Sequence, residues 1–352
     1  MDLELTDEQA LLAESVQQLL TTSPGPAAWP ALVDFGVLSI AAGEDGEVGA
    51  VELALVARAL GERLESVPLI DTAAALYAAR SDGAFSDLLA GRVVSLALLE
   101  PGGGWELEPL TTSLGLGAGG RACLDGRKVA ANAGAADSLL VLCDDGGARR
   151  LALVAADAPG VSIAPAPGID EALRPASVTL TGVVVDDGAV LPPDDCEAVL
   201  RRLLAVGAVM AASEAAGAAA GVLELARRYA TERRQFGRTI GSFQALRHLL
   251  ADMYVKQDSA WSTVLFAAAA LDDGTDEALR TASIAKAYVS RAAREVAQDA
   301  LQVFGGIAFT AEHPAHRFLR RILARGQQFG DARHHERAIG RALVGHATGA
   351  PA

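Results

Sequence analysis

The sequence predicts an α+β fold, helical at both ends with a sheet between, and three observations carry that reading. Apolar residues recur at helical spacing through roughly the first ninety residues. From Val93 the spacing gives way to short Val- and Leu-rich runs separated by Gly, Pro and Asp, the pattern of strands and turns. Past Pro192 and Pro193, long alanine-rich helical patterns return, joined by short loops as in a bundle. The expected parts are an all-helical domain at 1–92, a β-sheet domain at 93–191 and a bundle of four helices at 192–352.

Taken in order, Thr6 and Gln9 make a capping-box pattern, and Leu12, Val16, Leu19 and Leu20 then line one helical face. Pro24, Gly25 and Pro26 end that helix. Further helices are expected at 29–35, 51–63 and 70–79, with a loop rich in Gly and acidic residues at 43–49. Strands are expected within 93–100, 136–144, 149–157 and 175–185. The glycine-rich run 115–120 lacks the Lys-Ser/Thr and the strand-to-helix setting of a phosphate loop, so it reads as a connector. In the last part, helices are expected at 196–228, from the 232–253 stretch to about 271, at 278–303 and from about 314. Gly207, Gly217 and Gly221 on the first of these allow close backbone approach.

The chain has 352 residues, 51% of them hydrophobic, ample for a core, and a net charge of −14. That field repels polyanions and argues against binding to nucleic acid or an anionic membrane. Three cysteines in no metal spacing predict neither a disulfide framework nor a metal site and suggest a reducing compartment. No charged leader with an apolar core opens the sequence, and apolar runs are broken before membrane-spanning length, so the expected location is cytoplasmic.

Two stretches carry chemistry. Residues 232–253, ERRQFGRTIGSFQALRHLLADM, combine Arg233, Arg234, Phe236 and Arg238 with turns at Gly237 and Gly241 and a new helix start bearing Gln244. Guanidinium forks beside free backbone N–H groups favour a phosphate; a solvated surface corner is the alternative. The second stretch runs from Asp299 through Gln302, Gly305, Gly306 and Thr310 to Glu312 and Pro314. A helix ending in Gly-Gly frees amides and admits a ligand close to the chain, or simply stops a helix. Arg317, Arg320, Arg321 and Arg325 follow, as a solvated face or as subunit contacts.

Both stretches resemble the acyl-CoA dehydrogenase family. Arg233, Phe236, Gly237, Ile240, Phe243 and Gln244 stand in the spacing of its R-x-x-F-G-x-x-I-x-x-F-Q motif, and Gln302, Gly305, Gly306, Glu312 and Pro314 follow its Q-x-x-G-G-x-G-x-x-x-E-x-P segment with Ala308 in place of a glycine. The resemblance implies an FAD-dependent enzyme that removes two hydrogens across Cα–Cβ of an acyl-CoA thioester and passes electrons to an electron-transfer flavoprotein. It assigns cofactor binding to Arg233, Phe236, Gln244, Gln302, Gly305 and Gly306. In the middle of the chain, Leu99-Glu100-Pro101-Gly102 stands near the family's T-E-P-x-x-G-S-D loop and Gly126-Arg127-Lys128 near its G-x-K turn. There the chain departs: the loop continues Gly-Gly-Trp-Glu, and Val129-Ala130-Ala131 replaces a Trp-Ile-Thr that packs on the flavin.

The family's chemistry needs a carboxylate in an apolar pocket to take the α-proton. Its two usual positions correspond here to Phe329 and Gly207, neither an acid. In one reading Asp331 or Glu214 substitutes, and the protein is a homotetramer with an unconventional base. In the other, the chain resembles the shortened subunits of heteromeric actinobacterial dehydrogenases of steroid and bulky-acyl catabolism. It is then the base-lacking partner in an α2β2 heterotetramer that shares its FAD sites. A third reading is a structural relative that holds no flavin.

Overall fold

The computed structural model describes residues 4–43, 49–80, 91–117, 121–275 and 277–348. In chain order its helices are α1 (Asp7–Thr22), α2 (Ala28–Asp34), α3 (Val37–Ala42), α4 (Ala50–Arg63), α5 (Leu69–Ala79), α6 (Pro193–Glu232), α7 (Gln244–Asp272), α8 (Ala278–Phe304), α9 (Ala315–Gln327) and α10 (Ala332–Thr348). The strands are β1 (Val94–Ala97), β2 (Ser113–Leu116), β3 (Ala122–Ala131), β4 (Ser138–Asp145), β5 (Ala148–Ala155), β6 (Val161–Pro165), β7 (Pro175–Val184), and a short pair β8 (Arg234–Gln235) and β9 (Arg238–Thr239).

The chain divides into two compact units rather than three consecutive ones. One comprises Met1–Ala28, Ala50–Glu65 and Ala208–Ala352; the other comprises Trp29–Gly49 and Ser66–Gly207. The amino-terminal helices are shared between them because α4 is bound to α6 by close backbone packing. A Cβ on Gly61 of α4 would lie 2.0 Å from the Glu214 carbonyl, and one on Gly217 of α6 would lie 2.0 Å from the Arg58 carbonyl. Only glycine permits so short an approach. α1 joins the same unit: the Thr6/Gln9 capping box forms, Val16 and Leu20 are buried, and the Gln9 amide reaches Glu52 on α4 at 2.9 Å.

In the other unit a seven-stranded sheet runs in the order β1-β4-β2-β3-β7-β6, with β5 paired to β4. β1 is parallel to β4, whereas β3, β6 and β7 form an antiparallel run. Along β7 the buried Ala176, Val178 and Leu180 alternate with half-buried Pro175, Ser177 and Thr179, the period of two of a strand with one face on the core. That core gathers Leu124, Leu139, Val141, Cys143, Val154, Val178 and Leu180. α5 is buried at every residue and takes the place of a strand at the sheet's edge. Thr72 Oγ1 accepts the Val94 amide at 3.0 Å, and Asp71 accepts the Leu96 amide at 3.2 Å, so the buried backbone is satisfied.

The structure corrects several local expectations. Gly115 and Leu116 belong to β2 and pair with Cys123 and Ala122, so the start of the glycine run is strand, while 118–120 lies outside the described residues, as does 44–48 of the acidic loop. Gly126-Arg127-Lys128 is not a turn but the middle of β3, just past Asp125, which faces a bulge at Thr181 and Gly182 of β7. The helix from 314 stops at Gln327, and α10 follows it after a sharp corner at 328–331. Among the described residues, one helix, Asp195–Glu232, is long and apolar enough to cross a membrane by length and composition, and its apolar window is mostly buried.

Candidate functional site

The cationic stretch folds as a tight hairpin set between two long helices. α6 ends at Glu232, β8 and β9 pair Arg234 with Thr239 and Gln235 with Arg238, and a turn at Ile240–Ser242 leads into α7, which begins at Gln244. The two residues at the tip, Phe236 and Gly237, both have positive φ, 50° and 79°. That is the dihedral pattern of a primed hairpin turn, natural for Gly and unfavourable for Phe. Phe236 is held there 91% exposed, edge-on to Phe243 at 6.2 Å. Arg238 lies over the Phe243 ring at 4.1 Å, and Arg234 Nη2 donates to the Gly237 carbonyl at 3.3 Å. The hairpin is anchored from below: Ile240 N donates to Arg233 O at 2.8 Å, and a Cβ on Gly241 would lie 2.8 Å from the Ala230 carbonyl. Gln244 is exposed in the first turn of α7.

The glycine pair of the second stretch ends α8. Gly305 leaves the helix with φ 67° and ψ −145°, open space surrounds a Cβ on Gly305 or Gly306, and Gln302 is exposed. Phe304, buried just before the glycines, packs on Tyr229 of α6 at 5.3 Å and on His313 at 4.5 Å. Tyr229 also accepts the Arg233 amide at 2.8 Å. The two stretches, some seventy residues apart in sequence, are therefore tied through one aromatic contact. The surface they present has exposed guanidinium groups, an exposed amide, an exposed ring and glycine backbone without side-chain cover. Cation, amide donor and open backbone form the donor set that suits a diphosphate-bearing cofactor.

The two acids offered by the sequence are otherwise engaged. Glu214, 1% exposed on α6, is clamped by Arg321 Nη1 at Oε1 and by Arg325 Nη2 at Oε2, each at 2.9 Å. Arg321 also donates to the Glu65 carbonyl at 2.8 Å, and Arg325 to Gln328. Both carboxylate oxygens are thereby taken up by charge-assisted bonds within the core. The same triad settles two of the four α9 arginines: Arg321 and Arg325 are core, neither solvated nor at a surface, while Arg317 and Arg320 are exposed. Asp331 Oδ1 accepts the His334 amide at 2.7 Å, a helix cap for α10. Phe329, at the family's acid position, is 2% exposed in a left-handed backbone conformation with φ 59°.

In the sheet unit, Glu100 pins the loop that follows β1. Its carboxylate accepts the Thr111 hydroxyl at 2.6 Å, the Thr111 and Thr112 amides at 3.1 and 3.0 Å, and Lys128 Nζ at 2.9 Å. Burial alone would raise its pKa; the bonds from Thr111, Lys128 and Thr112 outweigh burial and hold it at about 2. Lys128 is fully buried, and burial presses its pKa below the usual lysine range against the pull of Glu100. Beside the pin lies a cleft of about 470 Å3 lined by Leu98, Glu100, Pro101, Gly103, Pro109 and Arg127. Ala130, in the stretch that replaces the flavin-packing Trp-Ile-Thr, is buried within β3. Sequence reading missed both buried ion pairs. The available signal was faint: Glu214 is a lone charge among alanines, and Lys128, next to Arg127, falls on the same strand face as the apolar Leu124 and Ala130.

Residues 197–344 match the family model for the acyl-CoA dehydrogenase C-terminal domain. Acyl-CoA dehydrogenase FadE34 of Mycobacterium tuberculosis is 32% identical over 295 residues, 82% of this chain and 38% of the relative. The chain spans less than half the length of the first curated relatives it matches. Among solved structures, the ChsE4-ChsE5 complex from Mycobacterium tuberculosis aligns with a TM-score of 0.85 at 25% identity, covering 98% of this chain and 99% of that one. The Tcur3481-Tcur3483 steroid ACAD aligns with a TM-score of 0.85 at 25% identity over 97% of this chain and 99% of that chain. With both motifs folded into one surface and the fold matched end to end, the chain belongs to the acyl-CoA dehydrogenase family.

Proposed function

We propose that this chain is a subunit of a cytoplasmic FAD-dependent acyl-CoA dehydrogenase. It supplies half of a shared flavin site and pairs with a related, base-bearing subunit in an α2β2 assembly. One observation carries the reading: the groups the family motifs assign to the cofactor are exposed, whereas Glu214 and Asp331, the acids near the expected base positions, are engaged within the chain. Arg233, Phe236, Gln244 and Gln302 face outward, Glu214 is clamped by two arginines, Asp331 caps a helix and Phe329 is sealed in the core.

Bound FAD would supply the hydride acceptor at the substrate's Cβ. Arg233 and its neighbours would offset the cofactor's phosphate charge, Gln302 would offer an amide, and Gly305 and Gly306 would let backbone N–H groups come close. Phe236 presents an apolar face to the same surface. The α-proton then goes to a carboxylate of the partner subunit, because a base needs a free lone pair in an apolar pocket. The small residues 129–131 offer no aromatic wall in this chain, which also leaves that contact to the partner. The likeness to the ChsE4-ChsE5 complex and to a steroid ACAD supports a bulky, steroid-derived acyl-CoA as substrate. The match to the Caffeyl-CoA reductase-Etf complex subunit CarC supports an electron-transfer flavoprotein as acceptor.

The test is to purify the chain alone and co-expressed with a base-bearing family member encoded nearby, and to record flavin absorbance and molar mass for each. The reading expects about one FAD per heterodimer, and none in the chain alone. A yellow homotetramer of this chain would contradict it, and a colourless complex would favour a structural relative.

A further inference from the structure

The corner between α9 and α10 is held from inside by two titratable side chains. Lys286, on α8 and fully buried, places Nζ 2.9 Å from the Gly326 carbonyl, 2.9 Å from the Gly330 carbonyl and 3.3 Å from Ser290 Oγ. His335, on α10 and 6% exposed, holds Nε2 2.8 Å from the Phe329 carbonyl, so that nitrogen carries the donated proton. Its Nδ1 is buried and has no partner among the described residues. The backbone between these ties is bent and crowded: Phe329 and Gly330 have φ of 59° and 102°, and a Cβ on Gly330 would lie 2.7 Å from His335 Nε2.

We propose that Lys286 and His335 form an internal latch on the 328–331 corner, and that protonating His335 opens this corner while the rest of the helical unit stays folded. A proton on Nδ1 creates a buried donor with nothing to receive it and a charge beside other cations. The groups facing it are Lys286 from α8, Asp331 from the corner and His334 from α10, with Arg325 from α9 facing Lys286 in turn; of these only Asp331 is anionic. Burial, then Lys286, presses His335 down to about 4, and burial presses Lys286 to about 7.

Both groups bind protons more weakly in the closed corner than in an open, solvated one, so opening takes up protons and acid favours it. For His335 the window runs from about 6.5 down to about 4, and for Lys286 from about 10.5 down to about 7. Between pH 7.5 and 5.0, His335 then raises the corner's opening constant about 30-fold and Lys286 about fourfold.

Hydrogen exchange with mass spectrometry on the full-length protein, corrected for intrinsic rates, reads this directly. In the wild type, peptides over 324–336 should gain opening on the order of 100-fold between pH 7.5 and 5.0, while the interior of α8 keeps its protection. In His335→Gln, which donates to Phe329 without titrating, the gain should fall to about fourfold. The latch is overturned if corner and bundle lose protection together, if the corner does not respond to pH, or if His335→Gln keeps the wild-type response. Should that variant not fold, the wild-type His335 ring proton decides by NMR: a midpoint near 4 upholds the latch, and one near 6.5 refutes it. None of these readouts involves flavin or turnover, so the latch and the proposed activity stand or fall separately.

Discussion

Two arginine clusters in the helical unit meet opposite fates. Arg321 and Arg325 on α9 are buried, and both are bound to Glu214. Arg233, Arg234 and Arg238 on the hairpin are exposed, and the bonds Arg234 and Arg238 make are to their own turn and to the Phe243 ring. The difference lies in backbone setting: a regular helix turns residues four apart toward the same neighbour, whereas a two-residue hairpin throws its side chains outward. A buried cation is already neutralised and serves the fold; an exposed one beside open backbone is available to an anion. Residue type alone does not separate structure from function here, and burial does.

The contrast breaks most visibly at Glu214. Glu214→Ala leaves two buried guanidinium groups without their carboxylate and should cost about 3–5 kcal/mol, seen as a large drop in melting temperature of the purified complex. Arg233→Ala should leave melting unchanged within about 0.5 kcal/mol. Its effect should fall on the flavin instead: losing one charge-assisted bond of about 1.5–3 kcal/mol raises the FAD dissociation constant roughly 10- to 100-fold in a fluorescence titration. If Arg233→Ala melts early and keeps its flavin, the two clusters have been assigned the wrong way round.

Phe236→Gly probes the hairpin tip more finely. Glycine accepts φ 50° without strain, so this variant should gain about 1 kcal/mol of stability while losing flavin affinity with the ring. A fall in both would mean that the ring packs within the chain. The last prediction reads pH rather than affinity and concerns the Glu100–Lys128 pair of the sheet unit. The Glu100 carboxyl sits at about 2 in the fold against 4.5 in a free chain, so its stabilisation is complete above 4.5 and drains as pH falls toward 2. Acid melts of Glu100→Gln should lose that slope.

Much of this was legible in the sequence because it is local. The Thr6/Gln9 capping box, the strand alternation of β7 and the hairpin's Phe-Gly tip are each set by a few consecutive residues. The outward-facing motif residues were legible for the same reason. What was not legible depends on long-range contact: Glu214 and Arg321 are 107 positions apart, and nothing local tells a guanidinium on α9 that a carboxylate waits on α6. The sharing of amino-terminal helices between two units was hidden likewise, since it follows from glycine-mediated contact between α4 and α6. On α6 the sequence held a muted sign, Glu214 and Gly217 standing within its alanine-rich middle.

The central claim, that this chain holds half a flavin site and no base, is tested most directly by anaerobic titration with an acyl-CoA while following flavin absorbance. Purified alone, the chain should show no flavin to bleach; in the complex the flavin should bleach, and should still do so when Asp331→Asn is placed in this chain. Bleaching by the chain alone, abolished by Asp331→Asn, would contradict the claim and identify this chain as a complete dehydrogenase.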